Sequence, residues 1–345
     1  MKFKAAILVE QKKPLVIDYI ELNNKLDFGQ VLVQVNYSGI CGSQIGEIDG
    51  VKGEDKYLPH LLGHEAVGKV IEIGDGVKKL SVDDEVILHW RPSEGLQANN
   101  PSYDWNGKKI NAGWVTTFNE YAVISENRLT KIDTKNLSEK KSASLYGCAI
   151  TTGFGVVENN LDLKIGNSLI VFGAGGIGLN IIQAASIVGA NPIIAVDVFD
   201  NRLDLAKKFG ATITFNSTND KNFTKLLEIC NGFTIDSFVD NTGSPDVIKF
   251  GYNVVKSNGR IVLVGVPKGS TDIYTLPLHF GKTIVGSHGG DAVPNLDIPR
   301  LYNFFKDKNI DLSKLITNEY DIDDINSAIA DMKSGAMSGR CLITF

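Results

Sequence analysis

No run of apolar residues in this chain approaches the ~18 that a membrane-spanning helix requires, so nothing in it reads as a membrane span. Positive charge is not in excess either: 35 Lys and Arg stand against 40 Asp and Glu, a net charge of −5. Nucleic-acid binders neutralise phosphates with clustered cations, so that class of partner is set aside. Thiols are few, with Cys41, Cys148, Cys230 and Cys341 the whole complement, and no two of them form a C-x-x-C pair. That spacing excludes a four-cysteine structural zinc lobe. Scattered cysteines in a large chain are expected to be reduced, hence either buried or metal-bound. Histidines number only five, and internal repeats and low-complexity tracts are missing. The apolar stretch within Met1–Glu10 is shorter than a signal peptide's core and soon meets Glu10, so it reads as a strand and the expected location is cytoplasmic.

What the chain does have is a stretch around which the rest is organised. Ile170-Val171-Phe172 reads as a buried strand, Gly173-Ala174-Gly175-Gly176-Ile177-Gly178 as G-x-G-x-x-G, and Leu179 onward as an amphipathic helix. A second apolar run, Pro192–Val196, ends at Asp197, 19 residues past Gly178. Gly173 permits the tight turn, Gly175 lets backbone approach a pyrophosphate, and Gly178 allows helix and strand to pack closely. The helix N-terminus attracts phosphate charge, and Asp197 can bond both ribose hydroxyls. The carboxylate favours NAD over NADP, because a 2′-phosphate would meet a negative charge. Arg202, on the first turn of the next helix, is the competing signal, since it could receive that phosphate.

The length suggests about two domains. Up to about residue 90 the chain shows short strands separated by turn residues and no helical periodicity. Residues 89–117 hold all three tryptophans, Trp90, Trp105 and Trp114, among Pro, Gly and Asn, and read as a long loop. Trp105 and Trp114 either pin that loop to the surface or serve function. A helical pattern from Ser138 leads into Tyr146–Gly155. Strands and helices then alternate, with strands near 168–172, 192–197, 212–216, 235–240, 260–265 and 283–287. Helices fit near 177–189, 200–209, 219–230, 245–256 and 298–308. This pattern predicts an α/β fold with a doubly wound parallel sheet. The tail holds a short helix around Asp323–Ser334 and a last strand, Arg340–Phe345.

Cys41 in Gly39-Ile40-Cys41-Gly42-Ser43, His64 in Gly63-His64-Glu65-Ala66-Val67-Gly68, and Cys148 offer two thiolates and one imidazole, with Glu65 beside them. Catalytic zinc takes three such ligands and keeps a fourth position open. Taken singly, a cysteine in a Gly-rich loop is more often buried than metallated, and His64 alone decides nothing. Together with Gly147–Gly155, the glycine loop, Val264-Gly265-Val266-Pro267 and the closing Gly339–Phe345, they stand in an order and spacing that resembles the zinc-dependent medium-chain alcohol dehydrogenases over nearly the whole chain.

The resemblance implies a mostly β, GroES-like catalytic domain over residues 1–150 and 291–345, and a Rossmann domain binding NAD over 151–290. It implies that Cys41, His64 and Cys148 hold one catalytic zinc, and that Glu65 can enter its coordination sphere. Ser43 would hand on the alcohol proton. Thr152 and Ile177 would flank the nicotinamide, Asp197 and Arg202 would hold the adenosine ribose, Arg340 would hold the pyrophosphate, and Gly173, Gly175, Gly176, Gly178 and Val266 would complete the cofactor site. Trp90 would line the substrate pocket. Zinc would act as Lewis acid while a hydride passes between an alcohol carbon and the nicotinamide, in the cleft between domains. Gln44 departs from the family, which commonly has an acid there to orient the histidine ligand, and Ile45, Gly46 and Glu47 offer no histidine to end a proton relay.

A pocket containing His89, Trp90 and the polar residues Asn99, Asn100, Asp104, Asn106 and Asn111 suggests a polyol or sugar-like substrate. The alternative is a simple primary alcohol, aliphatic or aromatic. Zinc-free reductases and nucleotide-binding proteins that catalyse nothing share the fold. The resemblance also implies a homodimer or homotetramer, with Ile273–Leu276 either pairing across a two-fold axis or forming an ordinary edge strand guarded by Pro277.

Overall fold

The computed structural model describes residues 1–220, 222–267 and 269–345. The chain divides into two compact units, Met1–Cys148 with Val293–Phe345, and Ala149–Ala292.

The first unit is built on strand alternation. Val31, Val33 and Val35 of the Gln30–Gly39 strand face one buried cluster with Ala66, Val70, Val86, Leu88 and Ile124. Leu32, on the opposite face, joins Phe3, Ala5, Ile7, Ile20, Tyr103 and Ile110. The period of two thus lets one strand serve two cores. The second of these cores is enclosed by a closed barrel of strands Lys2–Leu8, Val16–Glu21, Ser102–Trp105, Lys108–Asn111 and His60–Leu61. The other sheet runs in the order Leu129–Ile132, Glu85–His89, Glu65–Ile73, Gln30–Gly39, Arg340–Thr344 and Ile316–Asp321, with Tyr121–Ser125 also paired to Gln30–Gly39. The C-terminal strand returns to this sheet, placing Leu342 opposite Gly39. Cys341 and Ile343 there pack on Ile40, Leu62, Phe118, Ile325 and Ile329.

Two expectations for this unit are corrected. Residues 89–117 are not one long loop: Ser102–Trp105 and Lys108–Asn111 form an antiparallel hairpin. Its turn residues, Asn106 and Gly107, have φ of 52° and 79°, the double positive φ that matches the right-handed twist of two strands. Trp105 anchors the hairpin, its Nε1 donating to Asp18 Oδ2 at 2.7 Å. The region before residue 90 is also not free of helix, since Gly42–Ile48 is helical. The expected helix near 298–308 is observed as Pro294–Asp307 and lies in this unit.

The second unit is a six-stranded, wholly parallel sheet in the order Ile213–Asn216, Ile193–Asp197, Leu169–Phe172, Ser237–Asp240, Arg260–Leu263 and Thr283–Gly286. Leu169–Phe172 is buried throughout, as a central strand covered on both faces must be. Helices Gly176–Val188, Asp200–Lys208, Thr224–Cys230 and Pro245–Val254 make the crossovers. Strand order reverses beside Leu169–Phe172, the switch point where such sheets bind ligands. Ile273–Leu276 is not a strand. Residues 271–275 are irregular, Leu276–Phe280 is a 3-10 turn, and the sheet ends at Thr283–Gly286. Among the described residues, no helix is long and apolar enough to cross a membrane.

Candidate active site

Cys41 leaves the Gln30–Gly39 strand and stands immediately before the Gly42–Ile48 helix. His64 sits at the entry to the Glu65–Ile73 strand, after Gly63. Cys148 follows the Ser144–Gly147 turn. One ligand atom from each of the three lies within 4.8 Å of the others. Gly63 and Gly147 make this approach possible. Gly63 has φ +94°, and a Cβ there would meet Thr117 Oγ1 at 2.3 Å. At Gly147 a Cβ would stand 2.3 Å from the Leu88 carbonyl oxygen. Gln44, the departure from the expected acid, accepts a hydrogen bond at Oε1 from the Gly63 backbone N–H. It therefore holds the backbone that presents His64.

The electrostatics of the three suit a cation. The Cys41 thiol is held well below its ordinary pKa, first by a hydrogen bond from Cys148, then by His64 and Arg340, against the opposing effect of burial. His64 Nε2 is buried and has no hydrogen-bond partner among the described residues. A buried imidazole nitrogen left unpaired beside two thiols is costly unless a metal takes its lone pair. Two sulfurs and one nitrogen form the donor set that zinc prefers. Ser43 Oγ is likewise buried and unpartnered among the described residues, a hydroxyl not committed to its own chain.

Glu65 is fully buried and forms an ion pair with Arg340, which is 3% exposed. Arg340 is thus already engaged with a carboxylate one residue from the histidine ligand candidate. Trp90 follows the Glu85–His89 strand as expected, and its carbonyl accepts a hydrogen bond from Arg128 Nη1. The Arg91 guanidinium lies 5.8 Å from its ring centroid. His89 is engaged by its own chain. It is buried, its Nδ1 stands 2.7 Å from the Arg91 carbonyl and its Nε2 3.0 Å from Thr130 Oγ1, and burial pushes its pKa down to about 4. Several of the polar residues proposed beside it serve the hairpin and its surroundings. Asp104 Oδ1 accepts from Gly107 N, Asn111 Nδ2 donates to the Tyr57 carbonyl, and the Asn99 carbonyl accepts from Gln30.

In the second unit Gly173 ends the central strand with φ +88°. A Cβ on Gly178 would lie 2.0 Å from the Gly173 carbonyl oxygen, so close helix–strand packing requires glycine there. At Gly175 a Cβ would meet nothing within 4 Å, leaving open space where a pyrophosphate would approach. Gly176 and Ile177 form the first turn of the Gly176–Val188 helix. Asp197 ends its strand 6% exposed. Its Oδ2 accepts from Ala174 N at 2.7 Å, and its Oδ1 from Val198 N at 2.8 Å and Phe199 N at 3.1 Å. Arg202 Nη1 lies 3.8 Å from Asp197 Oδ1, and its guanidinium lies 4.7 Å from the Phe199 ring centroid. Thr152 is buried on the Ala149–Gly155 helix, and Val266 is exposed beyond the Arg260–Leu263 strand.

Sequence reading missed Glu126. Its carboxylate accepts from the backbone N–H groups of Lys78, Lys79 and Leu96, which fixes the start of the segment after Trp90. It also missed His60 and the acids around it, which no motif marks.

Residues 176–307 match the zinc-binding dehydrogenase family, and residues 27–134 the alcohol dehydrogenase GroES-like domain. An S-(hydroxymethyl)glutathione dehydrogenase of Escherichia coli O157:H7 is 29% identical over 97% of this chain and 98% of its own. The crystal structure of benzyl alcohol dehydrogenase from Acinetobacter calcoaceticus superposes with a TM-score of 0.87 at 28% identity, covering 100% of this chain and 99% of that one. An alcohol dehydrogenase zinc-binding domain protein from Burkholderia ambifaria gives 0.88 at 29% identity, covering 100% and 99%. With both domain families matched in order and relatives similar end to end, the chain belongs to the zinc-dependent medium-chain alcohol dehydrogenases, and it is an enzyme of that family.

Proposed function

We propose that this enzyme interconverts a simple primary alcohol, aliphatic or aromatic, and its aldehyde, with one zinc held by Cys41, His64 and Cys148 and with NAD as hydride acceptor. The observation that carries the reading is the approach of those three ligand atoms to within 4.8 Å of one another, with the His64 nitrogen unpaired. When bound, zinc supplies a Lewis acid for the alcohol oxygen, and NAD takes the hydride.

The chain's own residues supply the rest. Ser43, with its hydroxyl uncommitted, accepts the alcohol proton. Gln44 and Gly63 hold His64 in place. Glu65 adds a buried negative charge beside the metal ligands, and Arg340 compensates it. Arg340, paired with Glu65, would add positive charge for the cofactor pyrophosphate. The Gly173–Gly178 loop receives the pyrophosphate on backbone N–H groups, and Asp197 accepts from the ribose hydroxyls. Thr152, Ile177 and Val266 pack the nicotinamide end. Trp90 lines the alcohol pocket.

The choice of a primary alcohol over a polyol rests on two supports. Asn111 and Asp104 make bonds within their own surroundings, and His89 is buried on its own chain, so these three members of the polar set that motivated a polyol are engaged elsewhere. The relatives named above carry names for benzyl alcohol and S-(hydroxymethyl)glutathione, both of which bear a CH2OH group. A cytoplasmic location fits four free cysteines. A homodimer fits the exposure of Tyr274 at 72% and Phe280 at 69% beside the sheet's terminal strand.

The test is a substrate panel with NAD: ethanol, longer alkanols, benzyl alcohol, butanediols and sugar alcohols. Turnover of the simple primary alcohols with none of the polyols is the expected result. Turnover confined to polyols overturns the substrate assignment and leaves the metal site standing.

A further inference from the structure

We propose that Glu47, Asp55 and His60 form a second divalent-cation site, suited to an ion of the manganese or zinc class and separate from the Cys41–His64–Cys148 centre. One ligand atom from each of these three residues lies within 4.8 Å of the others. Glu47 is on the Gly42–Ile48 helix, Asp55 lies in the connection that follows, and His60 opens the His60–Leu61 strand.

The geometry at His60 points to a cation. Its side chain is 9% exposed and that of Asp55 is 10% exposed, so water screens the pair little. Nδ1 stands 2.8 Å from the Leu61 carbonyl oxygen, and Nε2 stands 2.8 Å from Asp55 Oδ2. Both ring nitrogens therefore face acceptors. A neutral imidazole carries one N–H, and the carbonyl, which can only accept, takes it. That leaves Nε2 facing a carboxylate, so either a second ring proton or a cation bound by both groups must offset the negative charge. A ring nitrogen donating to a backbone carbonyl while the other faces carboxylate oxygen is also the way metal-ligating histidines are oriented. Asp55 is aimed in turn, its Oδ1 accepting from Tyr57 N at 2.8 Å.

A single proton on His60 would balance Asp55 alone. Glu47 supplies a second carboxylate to the same spot, half-buried and with no hydrogen bond or ion pair among the described residues. Two carboxylates and a neutral imidazole are balanced by a doubly charged ion. The donor set of two oxygens and one nitrogen suits manganese or zinc, whereas the thiolate pair selects zinc. An ion there ties the helix that follows Cys41 to the strand that leads to His64. It stiffens the framework of the first centre without sharing a ligand with it.

The experiment uses enzyme loaded with a single equivalent of zinc per chain, which the thiolate centre takes up first, and zinc analysis verifies that no second zinc is bound. Mn2+ is titrated in and its free electron paramagnetic resonance signal is followed. The expected result is one bound Mn2+ per chain and a rise in thermal midpoint. Glu47→Gln and Asp55→Asn are each expected to weaken binding by at least about tenfold, the smallest loss typical even for residues one shell further out. Glu47→Gln is the safer variant because its side chain is half-exposed and unbonded, and an unchanged midpoint without metal verifies its fold. No bound Mn2+ overturns the proposal and leaves His60 and Asp55 as a proton-linked pair. Binding that neither substitution weakens also overturns it.

Discussion

Asp197 Oδ2 accepts a hydrogen bond from the Ala174 backbone N–H at 2.7 Å, so the acid at the end of one strand braces the glycine loop at the end of its neighbour. The carboxylate proposed to select the ribose is therefore also a structural part of the glycine loop. Asp197→Ser removes the charge that opposes a 2′-phosphate, with Arg202 nearby to receive it. The ratio of kcat/KM for NADP over NAD is expected to rise by about tenfold or more, a change of roughly 1.4 kcal/mol. Because the brace is lost as well, kcat/KM for NAD falls, and stability drops by about 1–3 kcal/mol. Steady-state kinetics with both cofactors check this, and an unchanged preference for NAD contradicts the assignment.

Gln44 tests the positioning of the metal ligands. Gln44→Leu leaves the buried Gly63 N–H without its acceptor, at a cost of about 1–3 kcal/mol. Zinc affinity, measured by competition with a chromophoric chelator, is expected to weaken by roughly 10–100-fold. Gln44→Glu keeps an acceptor and is expected to retain most of the affinity. Equal affinity in all three proteins would show that Gln44 has no part in presenting His64.

Arg340 distinguishes an ion-pair partner from a pure cofactor ligand. Arg340→Met strands the fully buried Glu65 carboxylate, and denaturant unfolding is expected to show a loss of about 3–5 kcal/mol. Adding Glu65→Gln to that variant recovers much of the stability while KM for NAD stays raised. A single variant with normal stability and raised KM alone would mean that the pair with Glu65 carries no weight.

His89 sets a pH dependence of stability unrelated to catalysis. Burial lowers its folded pKa to about 4, below the ~6.5 of an unfolded histidine. Its contribution is complete above about pH 6.5 and is lost as pH falls toward 4, because only the unfolded chain takes up the proton in that window. The loss amounts to about 3 kcal/mol. Unfolding curves at pH 7, 5.5 and 4 measure it, and His89→Asn is expected to flatten that part of the profile. An equally steep profile in the variant would place the dependence elsewhere.

The parallel sheet and its glycine loop could be read from the sequence because buried parallel strands are continuous apolar runs, and Gly173 and Gly178 occupy places where geometry admits little else. The zinc candidates could be read only as a set, since Cys41, His64 and Cys148 meet through strand pairing that no local pattern encodes. The Ser102–Asn111 hairpin was missed because tryptophans and polar residues hid its alternation, although Asn106-Gly107 is a strong hairpin signal. Ile273–Leu276 misled because its apolar alternation mimics a strand, whereas the sheet closes at Thr283–Gly286. The substrate residues are hard to read from sequence for a different reason. Whether Asn111 or His89 faces a ligand or its own backbone depends on tertiary placement, and composition carries no record of it.

The central claim is that Cys41, His64 and Cys148 together hold one catalytic metal ion. Cobalt substitution tests it most directly, because thiolate-to-cobalt charge transfer absorbs in the near ultraviolet only when sulfur is a ligand. The account predicts that this absorption saturates at one Co2+ per chain, that dehydrogenase activity rises in step with it, and that Cys41→Ala or Cys148→Ala reduces it. Cobalt bound without a thiolate band, or a band that both substitutions leave unchanged, would contradict it.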